Sequence, residues 1–190
     1  MLGEERVLHL LRETGALLDG HFLLTSGRHS DRYIQCAKLL QYPSYAAELG
    51  AGLGARFSRD GVQAVVGPAM GGILVSYEVA RHLGVRSLFT EREGGRMTLR
   101  RGFTLEPGER VLVVEDVITT GGSVEEVLAV VQEHGAVPVG VGALVDRSCG
   151  QVGWTLPLES LIRLNVVSYP REECPLCRAG VEVVKPGSRS

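Results

Sequence analysis

The sequence predicts an α/β protein in which a parallel sheet carries helices on both faces. Three observations predict it. Short, mostly apolar runs at residues 62–66, 87–89, 111–114 and 139–145 read as strands covered on both sides. Segments with apolar residues every three or four positions alternate with them as helices. Glycine-bearing turns at Gly67 and Gly121 follow two of the runs, at the carboxyl strand ends where such sheets bind ligands.

The first helix is expected over Glu4–Arg12, with Val7, Leu8, Leu10 and Leu11 inward. Gly20–Thr25 and Arg32–Cys36 read as short strands flanking the polar turn Ser26–Ser30. A helix follows Pro43 and turns Ala46, Ala47, Leu49, Leu53 and Phe57 inward. After Gly67-Pro68, Gly71-Gly72 leads into a helix over Ile73–His82, which Gly84 stops. Residues 91–102 are polar, glycine-bearing and long for a connector. They are expected to form an unstructured lid, with a β-hairpin extension as the alternative. A helix over Val124–His134 follows the strand at 111–114. The chain is expected to be one domain over 1–190. A core of about 41–149 carries a small hood from about 1–40 and 150–190.

The 190 residues carry a net charge of -2, so no global basic field argues for nucleic acid, and an anionic ligand needs a local site. No run of about 18 apolar residues suggests a membrane span. The N-terminus, MLGEERVLHLLRETG, reads as an amphipathic helix and not a signal peptide, so a cytoplasmic location is expected. Cys174-Pro175-Leu176-Cys177 has the spacing of half a zinc site. No second pair and no neighbouring histidine pair accompanies it in sequence, so it is expected to be a local knuckle or turn.

The chemistry concentrates in Val111–Glu126, where a strand, two carboxylates, a hydroxyl- and glycine-rich turn and a helix follow one another. A turn at a helix start presents backbone N–H groups to a phosphate. Gly121 and Gly122 let the backbone approach closely, and Thr119, Thr120 and Ser123 add hydroxyl donors. Ser123 with Glu126 also fits a capping box. Glu115 and Asp116 would repel a phosphate that they faced. They suit sugar hydroxyls, or Mg²⁺ held through water. A Walker G-x-x-x-x-G-K-[ST] motif is missing, and Gly140-Val-Gly142 reads as tight strand packing.

Val111–Ser123 resembles the signature with which type I phosphoribosyltransferases bind the activated sugar diphosphate PRPP. The resemblance implies that Thr119, Thr120, Gly121, Gly122 and Ser123 hold the 5-phosphate, and that Val117 and Ile118 also belong to the PRPP site. Glu115 and Asp116 would bind the ribose 2- and 3-hydroxyls. Gly67–Gly72 resembles the family's pyrophosphate loop, with Met70 and Gly71 as contacts and Mg²⁺ bridging. Phe22–Gln35 and Val145-Asp146-Arg147 resemble orotate phosphoribosyltransferases in particular. That resemblance implies contacts to orotate from Arg147, Thr119 and the backbone at Tyr33 and Ile34. It also implies the PRPP-dependent formation of orotidine 5'-phosphate in de novo pyrimidine (UMP) synthesis. A homodimer is implied as well, with loop 91–102 completing the partner's site. A phosphoribosyltransferase for another base, and a PRPP-sensing nucleic-acid-binding regulator, are the alternatives.

The chain departs from the family at Thr25, where lysine is usual, and at Met70-Gly71, where a tyrosine-lysine pair is usual. Its loop offers Arg92, Arg96, Arg100 and Arg101 in place of lysine and histidine. Arginine stays charged near neutral pH. Arg92 and Arg96 are therefore expected to contact the diphosphate, with Arg96 aiding catalysis electrostatically and not as a general acid.

Overall fold

A computed structural model of the chain describes residues 2–24 and 26–186, so Thr25 lies outside the described residues. The elements follow in the order α1 (Glu4–Glu13), β1 (Leu17–Leu23), β2 (His29–Ile34), α2 (Ala37–Leu40), α3 (Pro43–Gly54), β3 (Ala64–Pro68), α4 (Gly71–Leu83), β4 (Arg86–Glu93) and β5 (Arg96–Leu99). They continue as β6 (Arg110–Ile118), α5 (Gly122–Glu133), β7 (Val137–Asp146), β8 (Leu158–Arg163), β9 (Ser168–Tyr169) and α6 (Pro175–Arg178).

The main sheet has six strands in the order β5-β4-β3-β6-β7-β8. All neighbours pair in parallel except β4 and β5. Val111–Val114 on β6 and Val65 and Val66 on β3 are fully buried, as strands covered on both faces require. One layer of core joins α1, α3 and α4 to the sheet through Leu10, Leu49, Leu53, Val75 and Val79. The other layer packs α5 against the opposite face through Val124, Val127 and Val131. Gly140 and Gly142 lie under the Phe57 ring, where a Cβ would stand 2.9 and 3.2 Å from ring carbons. The tight strand packing expected there is present.

Several boundaries differ from expectation. β6 does not stop at Val114 but runs to Ile118, because β7 is long enough to ladder it as far as Ile118 opposite Asp146. The sheet also continues past residue 149, where β8 joins β7 as a sixth strand. Residues 91–102 are not an unstructured lid. β4 and β5 form an antiparallel hairpin closed by Gly94 and Gly95, at φ 58° and 85°, the positive-φ pair that a tight hairpin turn demands.

A second sheet, β1-β2-β9, is antiparallel and forms the hood. Its turn is shorter than Ser26–Ser30, because Leu24 N–H donates to the Arg28 carbonyl and His29 and Ser30 already pair with β1. Cys174 and Cys177 are not an isolated knuckle. His21 and His29 from the hood sheet pack directly against them.

Candidate active site

Three strand ends converge on the site. β3 ends at Pro68 and passes through Ala69–Met70, a cis peptide, into α4. β6 ends at Ile118 and passes through Thr119–Gly121 into α5. β7 ends at Asp146, opposite Ile118, so Thr119 and Arg147 leave the sheet side by side. The Arg147 amide donates to the Ile118 carbonyl at 2.8 Å and fixes this arrangement.

The turn after β6 forms a concave cradle of about 60 Å³ lined by Glu115 and residues 117–124. Thr119, Thr120, Gly122 and Ser123 are exposed in it. Gly121 has φ 84°, and a Cβ there would meet the Trp154 ring at 2.6 Å, so both backbone and space demand glycine. The expected capping box does not form. The helix starts at Gly122, which puts Ser123 inside its first turn, and the Glu126 carboxylate is taken by Arg92 at 2.7 Å. The free N–H groups of that turn are left for a ligand.

Glu115 and Asp116 lie within the last residues of β6, not in a loop after it. Glu115 is buried, with 8% of its surface exposed. Its pKa is pushed up to about 9, first by burial and then by the neighbouring Asp116 carboxylate. Burial also raises Asp116, whose Oδ1 accepts the Val117 amide at 2.8 Å. The two acids therefore share a proton near neutral pH. Asp116 also borders the β3–α4 loop. A Cβ on Gly71 would meet its carboxylate at 2.5–2.6 Å, so loop and acid can be this close only with glycine at 71. Met70 stands 83% exposed at the mouth.

Arg147 is partly buried, and its Nε has no hydrogen-bond partner among the described residues. Burial lowers its pKa. An arginine remains charged there, so the orphaned donor favours an anionic ligand. Ile34 packs into the core and can offer only backbone, while Tyr33 stacks at 5.8 Å from Phe22. Cys36, just beyond β2, is buried where Asp116 and Glu115 add to burial in raising its thiol pKa. Its nearness to the acids had no sequence signal, and neither did the Trp154 ring over Gly121.

Arg92 and Arg96 lie apart from this cradle. Arg92 pairs with Glu126 at 2.7 Å and Arg96 with Glu133 at 2.6 Å, both on α5. Arg100 and Arg101 pair within the hairpin region with Glu93 and Glu91.

A phosphate-receptive turn at a helix start, a buried acid pair and a second glycine loop on adjoining strand ends are the site of the phosphoribosyltransferase class. A profile of the Phosphoribosyl transferase domain matches residues 53–162, which include all three parts. Orotate phosphoribosyltransferase of Pelotomaculum thermopropionicum is 60% identical over 185 residues, 97% of each chain. That of Thermotoga maritima is 53% identical over 183 residues, covering 96% of this chain and 98% of its own. The crystal structure of orotate phosphoribosyltransferase from Aeropyrum pernix matches with a TM-score of 0.70 at 30% identity, over 83% of this chain and 93% of that one. The chain belongs to the orotate phosphoribosyltransferase family. No helix among the described residues is long and apolar enough to cross a membrane.

Proposed function

We propose that this protein transfers the phosphoribosyl group of PRPP to orotate, giving orotidine 5'-phosphate and pyrophosphate. The observation that carries the reading is the pair of buried Glu115 and half-buried Asp116 between two anion-receptive turns, with Arg147, whose Nε has no partner among the described residues, at the neighbouring strand end. The 119–123 turn holds the 5-phosphate through backbone N–H and hydroxyl groups. Glu115 and Asp116 accept hydrogen bonds from the ribose 2- and 3-hydroxyls, giving up their shared proton as the sugar enters. Backbone at Met70 and Gly71 receives the diphosphate. Arg147 grips the orotate carboxylate, and Thr119 and the Tyr33–Ile34 backbone frame the ring.

The oxygen-rich acid pair suits a hard cation reached through water, which fits Mg²⁺. Mg²⁺ supplies charge neutralisation to the leaving diphosphate. A ring nitrogen of orotate attacks the ribose carbon as the diphosphate departs, and no side-chain nucleophile is needed. The protein aligns the two substrates and stabilises the positive charge developing on the sugar.

The active form in this reading is a homodimer, in which Arg92 and Arg96 of each β4–β5 hairpin serve the diphosphate in the partner's site. Exposed Leu74 and Tyr77 on α4, with exposed Met70 just before its start, support a face for such pairing. A cytoplasmic location accords with this substrate chemistry. The test is loss of orotate absorbance with PRPP and Mg²⁺, repeated for Asp116→Asn. Turnover that falls at least a hundredfold in the variant is expected, and no turnover by the parent protein would overturn the proposal.

A further inference from the structure

Four groups that could ligate a metal converge in the hood, away from the site above. The ring nitrogens of His21 and His29 and the sulfurs of Cys174 and Cys177 all lie within 4.8 Å of one another. His21, His29 and Cys174 are buried, with 3%, 4% and 0% of their surfaces exposed, and Cys177 is half-buried. They come from β1, from β2 and from the two ends of the C-P-L-C turn, about 150 residues apart in sequence. The sequence spacing of the cysteines alone does not reveal this.

The distances approach those of a tetrahedron. Metal–nitrogen bonds of about 2.0–2.1 Å and metal–sulfur bonds of about 2.3 Å set nitrogen–sulfur edges of roughly 3.5 Å. Cys174 and Cys177 sulfurs lie 3.5 and 3.7 Å from His21 Nε2, and Cys177 sulfur lies 3.3 Å from His29 Nδ1. The two nitrogens are 2.7 Å apart, a separation that has only to widen by roughly half an ångström to match the same tetrahedron. The proton on His21 is also fixed suitably. Nδ1 lies 2.8 Å from the Val181 carbonyl, which can only accept, so Nδ1 carries the hydrogen and Nε2 presents its lone pair inward. A ligating histidine that donates its other N–H to a carbonyl is the usual outer support of a metal site.

Packing supplies a second reason. Between residues 171 and 186, Cys174 is the single buried residue, and α6 buries none. This tail bonds to β1, where Leu23 N–H donates to the Val184 carbonyl and Val184 N–H to the His21 carbonyl. A segment with so little apolar anchorage needs another tie, and small, core-poor units commonly use a metal.

We propose that His21, His29, Cys174 and Cys177 form a closed tetrahedral site for zinc, which fastens the C-terminal tail to the hood hairpin. Four protein ligands leave no open position, so the ion is structural and takes no part in the transfer reaction. The two thiols bind as thiolates and release their protons to solvent on loading. Because β2 also carries Tyr33 and Ile34, the tie holds in place the strand whose backbone frames the orotate ring in the proposed reaction.

The test uses the full chain, produced with zinc in the medium and desalted, with metal content measured by mass spectrometry. About one zinc per chain is expected, and it should be lost in Cys177→Ser but kept in Cys149→Ser, whose exposed sulfur lies outside the cluster. Loading the chelated protein with cobalt should give the strong visible absorption of a tetrahedral thiolate complex. Chelation of the unmodified protein should lower Tm by several degrees and open residues 164–186 to protease, both reversed by added zinc. Those readouts need no variant to fold. A protein that takes up neither zinc nor cobalt while all four thiols titrate as reduced overturns the proposal. So does a Cys174–Cys177 disulfide in the freshly purified chain, or equal zinc in Cys177→Ser.

Discussion

Glu115→Gln should make the ligand-free protein more stable at alkaline pH, against the usual result of removing a charged group from a site. The carboxyl is buried beside Asp116, and its pKa lies at about 9 against an ordinary value of 4.5. The folded chain therefore holds a proton there that the unfolded chain has lost. Stability contributed by this protonation is fully present below about 4.5 and is lost as pH rises toward about 9. Each pH unit inside that window removes about 1.4 kcal/mol, so moving from pH 6 to pH 8 removes about 2.7 kcal/mol. For a chain of this size that lowers Tm by about 5–10 °C. Glutamine keeps the shape and cannot ionise, so its curve should be flatter by that amount. Thermal unfolding of both proteins at half-unit pH steps, without PRPP, reads the difference. Parallel curves from pH 6 to 8.5 would show that the acid pair is solvated in solution and refute the shared proton. The same proton should be released when PRPP binds, so calorimetry in buffers of different ionisation enthalpy should find uptake by the buffer in the parent and less in the variant.

Three other outcomes are expected. Arg147→Ala should raise the KM for orotate about 30- to 1000-fold, the equivalent of roughly 2–4 kcal/mol, and leave the KM for PRPP within about threefold. Gly71→Ala should lower kcat/KM for PRPP at least tenfold, because its Cβ displaces the Asp116 carboxylate, and should change the orotate KM little. Arg92→Ala combined with Arg96→Ala should lower kcat about tenfold or more with Tm shifted by no more than about 4–8 °C. Exposed ion pairs such as those with Glu126 and Glu133 are worth less than about 1 kcal/mol each.

The parts of the fold legible in sequence were those with a local cause. Mostly apolar runs marked β3, β6 and β7, and Gly84 at φ 70° marked the end of α4. The acid pair and the 119–123 turn were legible because strand, acids and glycines are contiguous. Features set by distant partners were not. The extension of β6 through Asp116 depends on the length of β7. The missing capping box goes with a distant partner, Arg92, which holds the Glu126 carboxylate. The meeting of His21 and His29 with Cys174 and Cys177 depends on a tail about 150 residues further along the chain that folds back onto β1, and no spacing rule reaches that far.

The arginines of the β4–β5 hairpin are already engaged. Arg92, Arg96, Arg100 and Arg101 each hold a carboxylate, on α5 or within the hairpin region. A diphosphate that reaches them replaces those acids and does not meet naked charge. In the proposed reaction the gain would then be the difference between two anions, which would keep product release easy. Simple anions such as sulfate, acting on the same exchange, should loosen the hairpin from α5 at concentrations where they do not yet compete at the ribose cradle.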